Sequence, residues 1–171
     1  MNNGAWRLDV ARAFDYLGMS SSNITWHDRR LGDQMQNVEQ EVGDFVILRA
    51  NGDFSYQLAV VVDDARQGVT DIVRGADLIS NTARQILLQK LLGFSKPRYL
   101  HIPLVLGVNG QKLSKQNGAK EIDTASKEAC ATALEKALMA LGLKNTKQEI
   151  QPGTATWFMQ ASIAWQQLNY K

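Results

Sequence analysis

Cysteine, histidine and long apolar runs are scarce in this chain of 171 residues. One cysteine, Cys130, and two histidines exclude an internal disulfide and a zinc site built from cysteine and histidine. The apolar run at residues 58–62, which no other run exceeds, falls far short of the roughly 18 residues that a membrane span requires, and the N-terminus lacks a charged flank followed by an apolar stretch. We therefore expect a cytoplasmic chain without an export signal or a membrane association.

Proline and glycine are also infrequent, with 3 and 13 residues, which is well below the content of low-complexity disordered chains. No internal repeat is present at periods of about 20–50 residues. Apolar residues make up 44% and charged residues 21%, as in ordinary globular proteins. The length and the composition together predict a folded core in one ordinary domain or in parts of two.

Acidic residues are missing from one long segment, although the net charge of +2 is unremarkable. Residues 27–77 carry ten acids and five arginines, whereas residues 78–120 carry no acid. A segment without carboxylates repels a polyanion such as a nucleotide or tRNA least. A solvated basic face is the alternative interpretation. The segment has seven bases: Arg84, Lys90, Lys96, Arg98, Lys112, Lys115 and Lys120.

Alternating apolar residues predict several strands. Residues 45–49 and 53–56 flank Asn51-Gly52, which is typical of a two-residue hairpin turn. Residues 58–62 fit either a buried strand or one face of a buried helix, because so short a run does not distinguish the two. Further strands are predicted over residues 6–10, 69–73 and 99–106, and Asn109-Gly110 predicts a chain reversal after the last of them.

Helices are predicted near residues 80–93, 124–142 and 155–169. Ser80 suits an N-cap, and Gly93 suits a C-terminal stop for a helix in which Ala83, Leu87 and Leu91 share a face. In the last helix Trp157 and Trp165 fall on one face, which we interpret as packing rather than a binding surface. The order of elements predicts an α/β fold followed by α-helices.

A basic loop follows the predicted strand at residues 99–106. It places Lys112 and Lys115 three positions apart around a serine, between Gly110 and Gly118. Such a loop can close over a triphosphate, where the ammonium groups would stabilise charge on the phosphate oxygens. The bare pattern is more typical of a solvated surface turn, so its meaning depends on its context.

The context is supplied by residues 43–119, which resemble the second half of the catalytic domain of class I glutamyl- and glutaminyl-tRNA synthetases. The resemblance is continuous over about 77 residues and implies a Rossmann-like nucleotide-binding fold. Its landmarks follow in the order of the family: Asp44-Phe45, Tyr56, Val62-Asp63-Asp64, Gly68-Val69-Thr70, Arg74-Gly75, Thr82-x-Arg84-Gln85, His101-x-Pro103-Leu104, and Lys112-Leu113-Ser114-Lys115 in the place of the KMSKS signature.

The resemblance extends to the short glutamyl-Q branch of this family, through Arg74-Gly75-Ala76-Asp77-Leu78 and Lys115-Gln116-Asn117. Only 52 residues follow position 119, which is too few for the anticodon-binding domains of a full glutamyl-tRNA synthetase. The branch activates glutamate with ATP and attaches it to the queuosine base of tRNA(Asp). The implied partners are therefore glutamate, tRNA(Asp) and ATP, which is accompanied by magnesium.

The resemblance also implies roles for individual residues. Tyr56 and Arg74 are expected to hold glutamate, with Arg74 on the side-chain carboxylate, since a guanidinium binds a carboxylate through two parallel hydrogen bonds. Lys115, assisted by Lys112, is expected on the ATP phosphates as a catalytic lysine, and the backbone of residues 102–104, from Ile102 to Leu104, is expected to seat the adenine. His101 is expected to pack or hydrogen-bond rather than act as an acid or base, and Asp63-Asp64 are expected to cap or turn their element, with no catalytic role.

The departures from the family pattern concern the first half of the catalytic domain. The HIGH motif and the cysteines of the zinc-binding insertion are absent, so we expect a C-terminal half that is inactive alone. We divide the chain into the tail of the acceptor-binding insertion (1–43), the second half of the nucleotide-binding domain (44–119) and a helical segment (120–171). The missing half of the sheet suggests self-association through the exposed half. The alternative function is a non-catalytic tRNA-binding or structural module.

Overall fold

The computed structural model describes residues 4–107, 109–114, 119, 121–143 and 153–169. They form two compact units, which divide between His101 and Ile102. Lys115, which the sequence predicts to be catalytic, lies outside the described residues. Over the described part of the chain, no helix is long and apolar enough to cross a membrane.

The first unit contains a four-stranded sheet and a two-stranded sheet, with helices packed against them. Strand order in the larger sheet is β3-β2-β6-β5; β2 is antiparallel to β3 and parallel to β6, while β1 pairs with β4 in the smaller sheet. The strands are β1 (Trp6–Leu8), β2 (Asn23–Asp28), β3 (Gly32–Asn37), β4 (Phe45–Leu48), β5 (Asp71–Gly75) and β6 (Arg98–Ile102). The helices of this unit are α1 (Val10–Tyr16), α2 (Val38–Glu41), α3 (Tyr56–Arg66) and α4 (Thr82–Leu92), with a 3-10 helix at Ala76–Asn81.

The hairpin predicted around Asn51-Gly52 is confirmed, but its return strand is short. Arg49 N–H donates to the Asp53 carbonyl over 2.8 Å, and Leu48 bridges to Phe54. The side chain of Ser55 then accepts from the N–H of Leu58 and caps α3. The helix capped by Ser55 therefore replaces the end of the predicted strand, and residues 58–62 belong to a helix rather than to a strand.

A helix cap also explains a shift in the bounds of β1. The predicted strand 6–10 ends at Leu8 because the carboxylate of Asp9 accepts from Arg12 N–H and starts α1. Helix α4 begins after Asn81 rather than after Ser80, and it ends at Gly93, whose φ of 69° is the left-handed conformation predicted for this stop. Asp63-Asp64, predicted to cap or turn their element, lie near the C-terminal end of α3, and their backbone carbonyls accept from the N–H groups of Gln67 and Val69 that end the helix.

One hairpin of the larger sheet was not predicted from the sequence. Strands β2 and β3 pair in register from Asn23 with Asn37 to Asp28 with Gly32. Along β2, Ile24, Trp26 and Asp28 are buried and alternate with exposed residues. This alternation was available as a signal, but a buried aspartate interrupts the apolar pattern. Residues 23–37 thus belong to the same sheet as β5 and β6.

The core of the first unit lies between the sheets and the helices. Its largest contributions come from Phe14, Trp26, Phe45, Ile86 and Tyr99, all at most 6% exposed. The buried face predicted for α4 is confirmed, because Ala83 and Leu87 are fully buried and Leu91 packs against the core. Burial of aromatic and aliphatic side chains supplies the main driving force for this fold.

The second unit contains a β-bridge and two helices, α5 (Lys127–Ala140) and α6 (Ala155–Asn169). Leu106 bridges to Lys112, and Gly110 N–H donates to the Gly107 carbonyl, which confirms the predicted reversal. Trp157 is 4% exposed and Trp165 is partly buried in a cluster with Leu138 and Leu143, so the aromatic face of α6 is packed as predicted.

Candidate functional site

The side chain of Arg74, on β5, is at the centre of a polar network in the first unit. Its Nε donates to His101 Nε2 over 3.0 Å, its Nη1 to Gln85 Oε1 over 2.6 Å, and its Nη2 to Thr82 Oγ1 over 2.9 Å. The guanidinium carbon also lies 5.6 Å from the centre of the Tyr99 ring. These contacts fix the guanidinium plane from several sides.

A stripe of uncharged polar residues on α4 supplies two of these partners. Thr82, Gln85 and Gln89 are spaced by three and four positions and are at most 4% exposed. Gln85 also donates to Gln57 Oε1 over 2.9 Å, and Gln57 donates to Asn81 Oδ1 over 3.0 Å. The network therefore links β5, α4 and α3 through amide groups.

A buried aspartate and histidine complete the network behind Arg74. Asp28 on β2 and His101 on β6 are both fully buried, and Asp28 Oδ2 lies 2.6 Å from His101 Nδ1. Burial alone would raise the pKa of Asp28, but hydrogen bonds from His101, Leu31 and Arg30 hold that pKa below its ordinary value. Burial lowers the pKa of His101, and the nearby charge of Arg74 lowers it further.

The charge of Arg74 is not neutralised by a carboxylate in contact. Among the described residues, none of the ion pairs includes Arg74, and the three hydrogen-bond partners named above are neutral. Burial lowers the pKa of Arg74, whereas Tyr99, Tyr56 and Asp64 stabilise its charge. The guanidinium is still protonated near neutral pH. A cation in this setting favours an incoming anion.

Tyr56, the other predicted glutamate residue, lies beside Arg74 in the structure. It is the first residue of α3, is 48% exposed and interacts with the guanidinium through its hydroxyl. Asp64, two turns further along α3, has its pKa raised by burial, while the charge of Arg74 opposes that shift. The structure therefore brings Tyr56 and Arg74 together, as a shared role requires.

The residues predicted to bind ATP lie in the second unit. Ile102 ends β6, Leu104 follows Pro103, and Lys112 is held at the Leu106 bridge. Leu113 N–H donates to the Val105 carbonyl over 2.8 Å, which continues the pairing along the loop. Across the described ranges, no three His, Cys, Asp or Glu side chains are grouped to hold a metal ion.

Sequence reasoning missed the partners of Arg74. His101 was expected to form hydrogen bonds, and it does, but Asp28, Gln57 and the α4 stripe were given no role. Two signals were present in the sequence. Asp28 continues the buried alternation of β2, and glutamines at helical spacing among leucines indicate a buried polar face.

The family of the chain follows from a comparison with known protein families. A family model described as the catalytic domain of class I tRNA synthetases (E and Q) matches residues 17–157. The chain therefore belongs to the class I tRNA synthetase family of glutamyl and glutaminyl type, as the resemblance of residues 43–119 predicted.

Curated relatives narrow the similarity to one branch. Proteins named glutamyl-Q tRNA(Asp) synthetase from Albidiferax ferrireducens and Leptothrix cholodnii are each 58% identical to this chain, over 134 and 139 residues. The matches cover 78% and 81% of this chain but 42% and 44% of the relatives. The chain thus spans less than half the length of these relatives.

A solved structure supports the fold. The chain is similar to a glutamate tRNA ligase from Elizabethkingia meningosepticum in complex with its amino acid, with a TM-score of 0.60 and 21% identity. The match covers 81% of this chain and 31% of that protein. The predicted α/β fold of a class I catalytic domain is confirmed.

The buried pair makes the stability of the chain dependent on pH. Because the pKa of His101 in the folded chain is below its ordinary value of 6.5, the unfolded state binds more protons as the pH falls below about 6.5. Chemical denaturation should therefore show a lower free energy of unfolding at pH 5 than at pH 7. The loss is about 1.4 kcal/mol for each pH unit below 6.5 over which only the unfolded state binds the proton. Asp28, Arg74 and Arg30 are the charged groups that contact this imidazole or its backbone.

His27 provides the control for this prediction, since it is the second histidine of the chain and its side chain is 63% exposed. The variant His27→Gln should keep the loss of stability at acid pH. Equal stability at pH 7 and pH 5, or a dependence that disappears with His27→Gln, would contradict the assignment to His101.

Proposed function

We propose that this chain supplies the glutamate-recognising part of an enzyme that activates glutamate with ATP and transfers it to the queuosine base of tRNA(Asp). The observation that carries the proposal is the guanidinium of Arg74, a charge that three neutral side chains orient and that no described carboxylate contacts. The names of the 58%-identical relatives support the same substrates.

Arg74 has the geometry that a carboxylate requires. A guanidinium has five N–H donors, and the bonds to His101, Gln85 and Thr82 use three of them. These three bonds leave one N–H on each terminal nitrogen, and the Tyr56 hydroxyl also interacts with the guanidinium. We propose that these donors bind the side-chain carboxylate of glutamate, which leaves the α-carboxylate free to react.

The reaction proposed for the α-carboxylate is adenylation. One of its oxygens attacks the α-phosphorus of ATP, a mixed anhydride forms, and pyrophosphate leaves with the bonding electron pair. The protein supplies no nucleophile in this step, so positioning and electrostatic stabilisation provide the rate. We propose that Lys115 and Lys112 stabilise the phosphate charge and that the backbone from Ile102 to Leu104 seats the adenine.

Magnesium is proposed only as the counter-ion that arrives with ATP. Mg²⁺ is bound by carboxylate and phosphate oxygens, and residues 78–120, which include the basic loop, contain no carboxylate. The same acid-free segment favours contact with the tRNA backbone. The three functional segments 1–43, 44–119 and 120–171 remain part of this proposal, as does a cytoplasmic location.

The chain matches less than half of the length of the Albidiferax and Leptothrix relatives. The proposed activity therefore needs the rest of the catalytic domain. We define the completed enzyme as this chain joined to the part of the Albidiferax ferrireducens relative that it does not match. The completed enzyme should catalyse glutamate-dependent exchange of pyrophosphate into ATP and should then charge tRNA(Asp) that contains queuosine. The chain alone should do neither.

The test also separates the two candidate functions. No exchange by the completed enzyme with any amino acid, together with binding of tRNA(Asp) by the chain, would favour a non-catalytic tRNA-binding module. Charging of unmodified tRNA(Asp) at the same rate as tRNA that contains queuosine would contradict the proposed acceptor.

Self-association is proposed through the edge of the larger sheet. Strand β5 ends the strand order of that sheet, and its residue Val73 is 57% exposed. An open, apolar strand edge favours pairing with a second copy. Sedimentation velocity should show dimers of this chain at high concentration, and Val73→Lys should reduce them. A strictly monomeric chain at every concentration would contradict the proposal.

A further inference from the structure

Asp28 and His101 are the fully buried titratable pair behind Arg74, and the adenylation step uses neither of them. We infer that they are positioning residues: Asp28 fixes the tautomer of His101, and His101 in turn fixes the guanidinium of Arg74 for the substrate carboxylate. The inference rests on the proposed function, since it assigns Asp28 and His101 a task in glutamate recognition.

Both carboxylate oxygens of Asp28 act as hydrogen-bond acceptors. Its Oδ1 accepts from the backbone N–H groups of Arg30 and Leu31 over 3.1 and 2.9 Å. Its Oδ2 accepts from the backbone N–H of His101 over 3.1 Å and from the imidazole over 2.6 Å. Four donors around one carboxylate hold it ionised. The imidazole must therefore carry its proton on Nδ1.

The position of this proton determines what His101 offers to Arg74. In a neutral imidazole one nitrogen donates and the other accepts, so a proton on Nδ1 leaves a lone pair on Nε2. That lone pair accepts from Arg74 Nε over 3.0 Å. The other tautomer, or the protonated ring, would place an N–H against the N–H of Arg74 and break the contact.

The backbone holds all three groups in place. Asp28, His101 and Arg74 lie on β2, β6 and β5, which are consecutive strands of one sheet. Arg30 Nε donates to the His101 carbonyl over 2.5 Å, and the His101 ring stacks on Tyr99 at an angle of 9°. A guanidinium that is already oriented loses less conformational entropy when it binds a ligand.

The alternative is that the pair only stabilises the fold. Asp28→Asn distinguishes the two roles, because the amide is close in size to the carboxylate. Its oxygen can accept from Arg30 and Leu31, which directs the NH₂ group at His101. Nδ1 would then have to accept, and the proton would move to Nε2, where it opposes Arg74. A wrong tautomer of this kind disables a histidine without removing it.

The test is nitrogen NMR of this chain, labelled on histidine and arginine side chains. We expect a pyrrole-type signal from Nδ1, a pyridine-type signal from Nε2, and a slowly exchanging Nε–H signal from Arg74. Asp28→Asn should reverse the two imidazole signals and abolish the slow exchange of Arg74. His101→Gln should keep part of the slow exchange of the Arg74 signal, because the amide oxygen of glutamine can reach the position of Nε2.

Asp33→Asn is the matched control. Asp33 forms the second aspartate–histidine pair of the described residues, with His27 over 2.7 Å, and that pair is exposed. This variant should leave the Arg74 signal unchanged. A folded Asp28→Asn chain that keeps the slow Arg74 signal would overturn the inference, as would a pyrrole-type Nε2 in the wild-type chain even if Asp28→Asn failed to fold.

Titration with sodium glutamate separates this inference from the proposed function. The Arg74 signal should respond to glutamate. The Asp28→Asn chain should need a glutamate concentration on the order of tenfold higher for the same response, which is the scale of losing a residue that orients a ligand-binding group. An equal response in both chains would overturn the positioning role and leave glutamate binding intact. If the Arg74 signal depends on Asp28 but never responds to glutamate, the proposal that this chain binds glutamate would be contradicted, and the positioning role would stand.

Discussion

Arg74→Ala is expected to weaken glutamate activation by the completed enzyme by about 2–5 kcal/mol, the cost of leaving one member of a desolvated charge pair without its partner. The loss should be this large because burial has already removed water from the guanidinium, so its interaction with a carboxylate is only weakly screened. Glutamate-dependent pyrophosphate exchange measures the effect through kcat/KM.

Lysine at the same position should restore only part of the activity. A single ammonium keeps the charge, but it cannot bond Gln85 and Thr82 and still present two parallel donors to the substrate. Arg66→Ala is the control, since Arg66 is an exposed arginine in the last turn of α3. Unchanged exchange in Arg74→Ala, or a loss of the same size in Arg66→Ala, would refute the assignment.

The second large effect is expected at Lys115. Lys115→Ala in the completed enzyme should lower the rate of adenylate formation roughly a hundredfold or more, with little change in ATP affinity. Glycines flank this loop at positions 110 and 118 of the sequence, and Gly110 has a φ of 73°. A lysine that reaches the phosphates as pyrophosphate departs stabilises charge that develops late in the reaction.

Pre-steady-state adenylation separates this role from simple ATP binding. Loss of transition-state stabilisation lowers kcat and kcat/KM together, whereas loss of uniform binding raises only KM. Lys112→Ala should have a smaller effect, and Lys136→Ala, which removes an exposed lysine of α5, should have none. A Lys115→Ala enzyme with a normal adenylation rate and weaker ATP binding would show a ground-state contact instead.

Local signals in the sequence predicted much of the fold. The reversal at Asn109-Gly110, the stop at Gly93 and the apolar face of α4 depend on residues within a few positions of each other, and the structure confirms them. Two of the errors occurred where a side chain caps the next helix. Ser55 and Asp9 each end a predicted strand early, because capping satisfies backbone N–H groups that a continued strand would leave to other partners.

The candidate site could be predicted only in part. The family resemblance identified Tyr56 and Arg74, and the structure places them together. The contact between Asp28 and His101 joins residues 73 positions apart, across the neighbouring strands β2 and β6. No local pattern encodes such a contact. In the sequence alone, where the partner of Asp28 cannot be identified, a buried aspartate on a strand resembles a break in the apolar alternation.

The most direct test of the account compares glutamate with glutamine as substrates of the completed enzyme. Glutamine has the same shape, but its amide cannot offset the charge of Arg74. We predict pyrophosphate exchange with glutamate, a loss of about 2–5 kcal/mol with glutamine, and no preference between the two in Arg74→Ala. Equal exchange with both amino acids in the wild-type enzyme, or a preference for glutamate that survives Arg74→Ala, would contradict the claim that Arg74 recognises the substrate carboxylate.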